Sequence, residues 1–240
     1  ITISTWQSLY KMPKKFFEDY GAVIGDEAHL FKAVSLTKIM TKLVDCKYRI
    51  GLTGTLDDSK THKLVLQGLF GMVNKVVSTA ELIERKQLAN LKVVCLNLKY
   101  PENESKKVKD VKYFEELEYI TSSKPRNKYI RNLALALKGN TLLLFQLVEK
   151  HGEILFNLIK EKADQKRKVF FVFGGTDTDD REQIRAITER EDNAIIVASY
   201  GTFSTGINIR NLHNIVFSSP TKSPIRVLQS IGRGLRVGDN

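Results

Sequence analysis

Residues 22–31 read AVIGDEAHLF. An apolar run suited to a buried strand gives way at once to two adjacent carboxylates, a small residue and a histidine. Carboxylates resist burial, so the strand has to deliver them to an edge open to solvent or to a ligand. In open α/β sheets that edge is the carboxyl end of the strands, where loops and helix N-termini converge. Of Asp26 and Glu27, one acid is then placed to hold Mg²⁺, directly or through water, and its neighbour to orient and deprotonate a water for attack on a phosphoryl group. An arbitrary Asp-Glu at a strand end is only a pair of solvated acids; the strand before it and the Ala28-His29 after it point further.

Working outward, short apolar runs alternate with amphipathic stretches, the pattern of parallel βαβ units. Strands are expected at 22–25, 48–52, 75–78, 92–98, 141–145, 168–173, 194–198 and 214–218. Helices are expected at 35–44, 112–120, 149–162 and 179–190, the last with aspartates at its start and Arg190 at its end, matching the helix dipole. The stretch 101–131 is highly charged and broken by Ser-Ser-Lys-Pro at 122–125. The expected organisation is α/β: a first lobe over 1–100, a connector over 101–124, and a second lobe over 125–240, with mostly parallel sheets.

The chain has 240 residues and a formal net charge of +11, which suits a polyanionic partner without demanding one. Cys46 and Cys95 are far apart, with no Cys-x-x-Cys and no Cys/His cluster of zinc-site spacing, so two reduced thiols are expected. No apolar run reaches membrane-spanning length, and no signal peptide is visible.

Near the C-terminus, residues 229–236 read QSIGRGLR. Helical steps of three and four put Gln229, Arg233 and Arg236 on one face. Two permanently charged, planar guanidiniums suit the terminal phosphoryl of a triphosphate. A merely solvated basic helix end would have no need of glycines at 232 and 234, which are poor helix formers.

Seven strings stand in order: ISTWQSL (3–9), DEAH (26–29), LTGT (52–55), TLLLF (141–145), VFGGTDTDDRE (172–182), VASYGTFSTGIN (197–208) and QSIGRGLR (229–236). Together they resemble the motifs of the superfamily 2 DEAH-type helicases and translocases, across essentially the whole chain. The resemblance implies two RecA-like lobes, an ATP-dependent motor, and ATP and Mg²⁺ as its cofactors. It implies Asp26 on the metal, Glu27 as catalytic base, and His29 coupling the nucleotide site to Gln229. Thr53 and Thr55 would link hydrolysis to lobe movement, Arg233 and Arg236 would reach the γ-phosphate, and Gly206 and Asn208 would line the nucleotide. Many relatives carry Asp where Asn208 stands; a neutral amide can still bond a hydroxyl.

On the nucleic-acid side, the resemblance implies phosphate contacts from Thr5, Ser8, Gly175, Thr176, Ser199 and Thr202, although Thr176 and Thr202 read equally as turn or cap residues. Hydroxyls and backbone N–H groups grip phosphate without reading bases, so binding is expected to be sequence-tolerant. Trp6 and Phe203 are candidate base-stacking platforms or core residues, and Arg126 and Lys128 read as a solvated helix face. Within the family the resemblance is to a bacteriophage recombination and repair helicase. It implies action on branched DNA (fork regression, branch migration, R-loop unwinding), with single-stranded DNA and RNA–DNA hybrids as further partners, a monomer, and the host cytoplasm as its location. An RNA helicase, a restriction-type translocase and a non-catalytic nucleic-acid-binding module stay open on the residues alone. The family's P-loop, GxxxxGK[ST], is not found in these residues. The first lobe is therefore expected to be cut at its N-terminal side, and these residues alone are expected to hydrolyse ATP poorly.

Overall fold

The computed structural model describes residues 1–32, 34–56, 60–205 and 209–235. The chain divides into two compact units, Ile1–Val77 and Ser78–Asn240, so residues 78–100 are described with the second unit.

In the first unit, α1 (Trp6–Leu9) precedes β1 (Ala22–Gly25), α2 (Val34–Lys42), β2 (Tyr48–Gly51) and α3 (Lys60–Phe70). β1 and β2 pair in parallel, Ala22 opposite Tyr48 and Gly25 opposite Gly51. The apolar spacing of α2 buries Leu36, Ile39 and Met40, which pack with Phe17, Leu43 and Cys46. Gly25 sits where a Cβ would come 2.8 Å from the Phe31 ring. Its bare backbone lets the chain fold back closely just before the acid pair.

The second unit opens with α4 (Thr79–Glu84), capped reciprocally by Ser78 and Glu81. Then come α5 (Glu102–Lys107), α6 (Tyr113–Ser122), α7 (Lys124–Ala136), β3 (Thr141–Phe145), a π-helical turn Val148–Gly152, α8 (Glu153–Lys162), β4 (Val169–Val172), α9 (Thr178–Arg190), β5 (Ile195–Ser199), α10 (Tyr200–Thr205), β6 (Asn214–Phe217) and α11 (Pro224–Gly234). The sheet order is β4-β5-β3-β6, and every pairing is parallel.

Both faces of this sheet are covered, which is why β3 is buried at every position and apolar from Leu142 to Phe145. On one face Leu143, Phe145, Ile195 and Val197 pack with Ile130 and Ala134 of α7 and with Leu155 and Ile159 of α8. On the other, Leu142, Leu144, Ile196 and Ala198 pack with Tyr200, Phe203, Ile209 and Leu212. Buried Asn140 locks the entry to β3. Its Nδ2 donates toward the carbonyls of Thr188, Glu191 and Asn211, and its Oδ1 accepts from Ala194 N–H.

The α/β architecture with parallel sheets is as the sequence implies. Two strand expectations are corrected: 75–78 and 92–98 form no strand among the described residues. Apolar and β-branched content marks a segment that fits a sheet, but a strand also needs a ladder partner, and these segments have none. The helix expected over 149–162 is divided, the π-helical turn Val148–Gly152 preceding α8.

Candidate functional site

In the first unit the acid pair leaves β1 through a strained turn. Glu27 has φ 48°, in the left-handed region that favours glycine. Its N–H donates to Asp26 Oδ1 at 2.9 Å. Beyond the ladder, Leu52 N–H donates to Gly25 O at 2.9 Å and Ala28 N–H to Leu52 O at 2.8 Å. Those two bonds bring the segment 26–29 against 52–55.

The meeting point is His29, 4% exposed, whose Nδ1 lies 3.0 Å from Thr53 Oγ1 and 3.3 Å from Glu27 Oε2. Thr53 Oγ1 donates to Thr55 O and accepts from Thr55 N–H. With its proton given to Thr55, the Thr53 oxygen can only accept from the ring, which places the imidazole proton on Nδ1. That same proton faces Glu27. Asp26 and Glu27 stay exposed, and the buried Thr55 hydroxyl has no partner among the described residues. So Asp26, Glu27, His29, Thr53 and Thr55 form one cluster: two exposed carboxylates over a buried imidazole and a hydroxyl turn. No group of three or more His, Cys, Asp or Glu suited to a metal occurs among the described residues. Asp26 alone suits Mg²⁺, which keeps most of its waters. At the start of α1, Thr5 and Ser8 are both exposed, their hydroxyls 3.3 Å apart.

In the second unit the candidate phosphate contacts lie where β4 and β5 end. Gly175 is exposed in the loop after β4; Thr176 closes that loop, accepting from Phe173 N–H at 3.1 Å. Arg181 braces it by donating to Gly174 O. Ser199 Oγ lies 2.8 Å from Thr202 Oγ1 and accepts from Thr202 N–H. Thr202 is buried, so its hydroxyl serves the start of α10. Gln229 and Arg233 are half-buried, one turn apart on α11. Gly206, Asn208 and Arg236 lie outside the described residues.

Phe203 is wholly buried in the core and offers no face for stacking, whereas Trp6 is 42% exposed. Arg126 corrects the solvated-face expectation: its Nη2 donates to Ser218 O at 2.6 Å, and burial lowers its pKa. Lys128 is exposed as expected. Sequence reasoning missed a buried polar group around Arg126, built from Asn127, His151, Tyr200 and Ser219. The only signal was two serines following an apolar strand.

Residues 125–238 match the family described as helicase conserved C-terminal domain. That stretch resembles a helicase C-terminal domain. Over its whole length the chain resembles the superfamily 2 helicases. It is 40% identical over 239 residues to the ATP-dependent DNA helicase UvsW of Enterobacteria phage T4, covering 98% of this chain and 47% of that protein. It is 24% identical over 246 residues to the probable helicase D10 of Escherichia phage T5, covering 99% of this chain and 50% of that one. Among solved structures, the crystal structure of T4 UvsW matches with 39% identity and TM-score 0.53, over 95% of this chain and 44% of that chain. Dbp5 of S. cerevisiae, in a complex with Gle1 and IP6, matches with TM-score 0.53 and 14% identity, over 98% of this chain and 55% of that one, which shows the fold alone. The fold is thus RecA-like α/β. The chain spans about half the length of these two curated relatives.

Proposed function

We propose that the chain is part of an ATP-dependent DNA helicase or translocase that works on branched DNA in recombination and repair. The observation that carries the motor reading is the cluster at the end of β1, where His29 links Glu27 to Thr53. A paired acid delivered by a strained turn, with a buried imidazole behind it, is an arrangement for moving a proton at a water molecule. Nucleic-acid binding alone would have no use for it.

In this reading Glu27 takes the proton of the attacking water, and its carboxylate is steered by the Nδ1–H of His29. Asp26 would hold Mg²⁺ through its water shell, and the ion when bound neutralises phosphate charge. Thr53 ties the imidazole to the turn at Thr55, so a shift of residues 53–55 is felt at Glu27. In the second unit, Gln229, Arg233 and Arg236, with Gly206 and Asn208, are the residues that would serve a triphosphate. Thr5, Ser8, Gly175, Thr176 and Ser199 would grip phosphates, with Thr202 holding Ser199 in place. The choice of DNA rests on the 40% identity to a relative named as a DNA helicase, and that of branched DNA on the motif resemblance to a recombination and repair helicase.

Replacing Glu27 with Gln in the complete protein is expected to preserve ATP binding and lower turnover by roughly 10²–10⁴-fold. A variant that hydrolyses ATP at the parent rate would remove Glu27 from this role. Comparing hydrolysis stimulated by forked DNA, linear single-stranded DNA and RNA tests the substrate; stimulation by RNA alone would overturn the choice of DNA.

A further inference from the structure

Just beyond β6, the chain is held at two consecutive residues by hydrogen bonds from several elements. Ser218 N–H and Oγ–H both donate to Leu144 O, at 3.0 and 2.7 Å, and its carbonyl accepts from Arg126. Ser219 N–H points at the same Leu144 carbonyl, and its own carbonyl accepts from Tyr200 Oη at 2.7 Å. Ser219 Oγ accepts from Gln146 N–H at 3.1 Å and lies 2.8 Å from His151 Nδ1. Ser218, Ser219, Tyr200 and His151 are each no more than 2% exposed.

The proton positions follow from the outer end of the chain of bonds. Asn127 Nδ2 donates to Thr121 O, which turns Oδ1 toward His151 Nε2 at 3.2 Å. Nε2 must then carry the ring proton. Nδ1 of the neutral imidazole is left as an acceptor, and the Ser219 hydroxyl donates to it. Burial pushes the His151 pKa down to about 4, so this neutral form persists at ordinary pH.

Such a clamp fixes the approach to α11, which begins at Pro224 and carries Gln229 and Arg233. Three of the clamping groups come from α7, β3 and the π-helical turn. Tyr200 is different. It is the first residue of α10, next to Ser199, the candidate phosphate contact. One hydroxyl therefore joins the segment that would meet nucleic acid to the segment that leads to the arginine helix.

We propose that the Tyr200–Ser219 hydrogen bond is the link by which nucleic acid held at the end of β5 sets the stance of α11, making Tyr200 a positioning residue for nucleic-acid-stimulated ATP hydrolysis. The link rests on the helicase reading above. It differs from a general structural role in one respect: it governs the response to DNA and leaves the unstimulated rate alone.

The test uses the complete protein and single-stranded DNA at saturation. Tyr200→Phe keeps the ring, which stacks on Phe217, and removes only the hydroxyl. The ratio of stimulated to unstimulated turnover is expected to fall by about fivefold to tenfold, the weight of one buried hydrogen bond, with unstimulated turnover unchanged. Ser219→Ala frees the Ser219 side chain yet keeps the carbonyl that Tyr200 holds, and is expected to retain the parent ratio. Amide exchange in the unmodified protein gives a second readout independent of folding of the variants: saturation with DNA is expected to slow exchange at the start of α10 and at residues 225–228 together. Three results would overturn the link: a parent-like ratio in Tyr200→Phe, equal losses in both variants, or protection at α10 without protection at α11. A parent protein whose turnover DNA does not stimulate would sink the helicase reading itself, and the link with it.

Discussion

Glu27 occupies a backbone region that costs an L-residue roughly 1–2 kcal/mol, and it does so where the strand hands over its acids. That strain aims a carboxylate away from the ladder while His29 holds it from below. Glu27→Gly in the complete protein should therefore raise stability by about 1 kcal/mol while abolishing turnover, read as a higher urea midpoint beside a phosphate-release assay. His151 makes the opposite kind of demand. It is neutral when folded, with a pKa of about 4, whereas an open chain protonates near 6.5. As pH falls the unfolded chain takes up the proton first, so this group's stabilising effect is whole above about pH 6.5 and drains away between 6.5 and 4. The loss amounts to about 3 kcal/mol. Urea midpoints measured from pH 7 to 4 should fall steeply in the parent and more shallowly in His151→Gln. The acid pair was legible in the sequence because neighbouring charges after an apolar run have few places to go. The clamp at Ser219 was not, since its partners stand at 127, 146, 151 and 200 and each alone reads as an ordinary polar residue.

Elements were legible where one segment carried its own reason to form. β3 reads as a strand buried on both faces because four consecutive apolar residues follow Thr141, and α9 is legible because its acids and its arginine match the two ends of the helix. Segments 75–78 and 92–98 look as strand-like, yet pairing is a property of two segments, and composition is silent about the second. The turn into β3 shows how local the demands become. Gly139 has φ +86°, and a Cβ there would stand 2.7 Å from the His213 ring. Gly139→Ala should cost about 1–3 kcal/mol, measured as a lower melting temperature without change in the far-ultraviolet dichroism of the folded state. Asn140→Ala, next along, strips the partner from Ala194 N–H and from several carbonyls at once. A loss of about 2–4 kcal/mol is expected in denaturant unfolding.

At the scale of the molecule, the net charge of +11 agrees with a polyphosphate partner and with phosphate grips that ignore base identity. DNA affinity of the complete protein should fall steeply as salt rises and vary little with sequence at fixed salt, as a filter-binding series would show. Order of motifs made the α/β class and the helicase kinship readable before any coordinates, because a motor needs its phosphate chemistry at strand ends in a set succession.

The placing of β3 has a last implication, for the making of the chain. β3 lies at the centre of its sheet, yet both its neighbours arrive late: Thr141 pairs with Ile195 and with Asn214. During synthesis this fully buried strand leaves the ribosome more than fifty residues before it has anything to bond to. Parallel pairing across such separations is slow, and an unpaired apolar edge is adhesive in the meantime. Recovery of soluble protein should therefore improve with slower translation or added chaperone, and refolding yield should drop as protein concentration is raised.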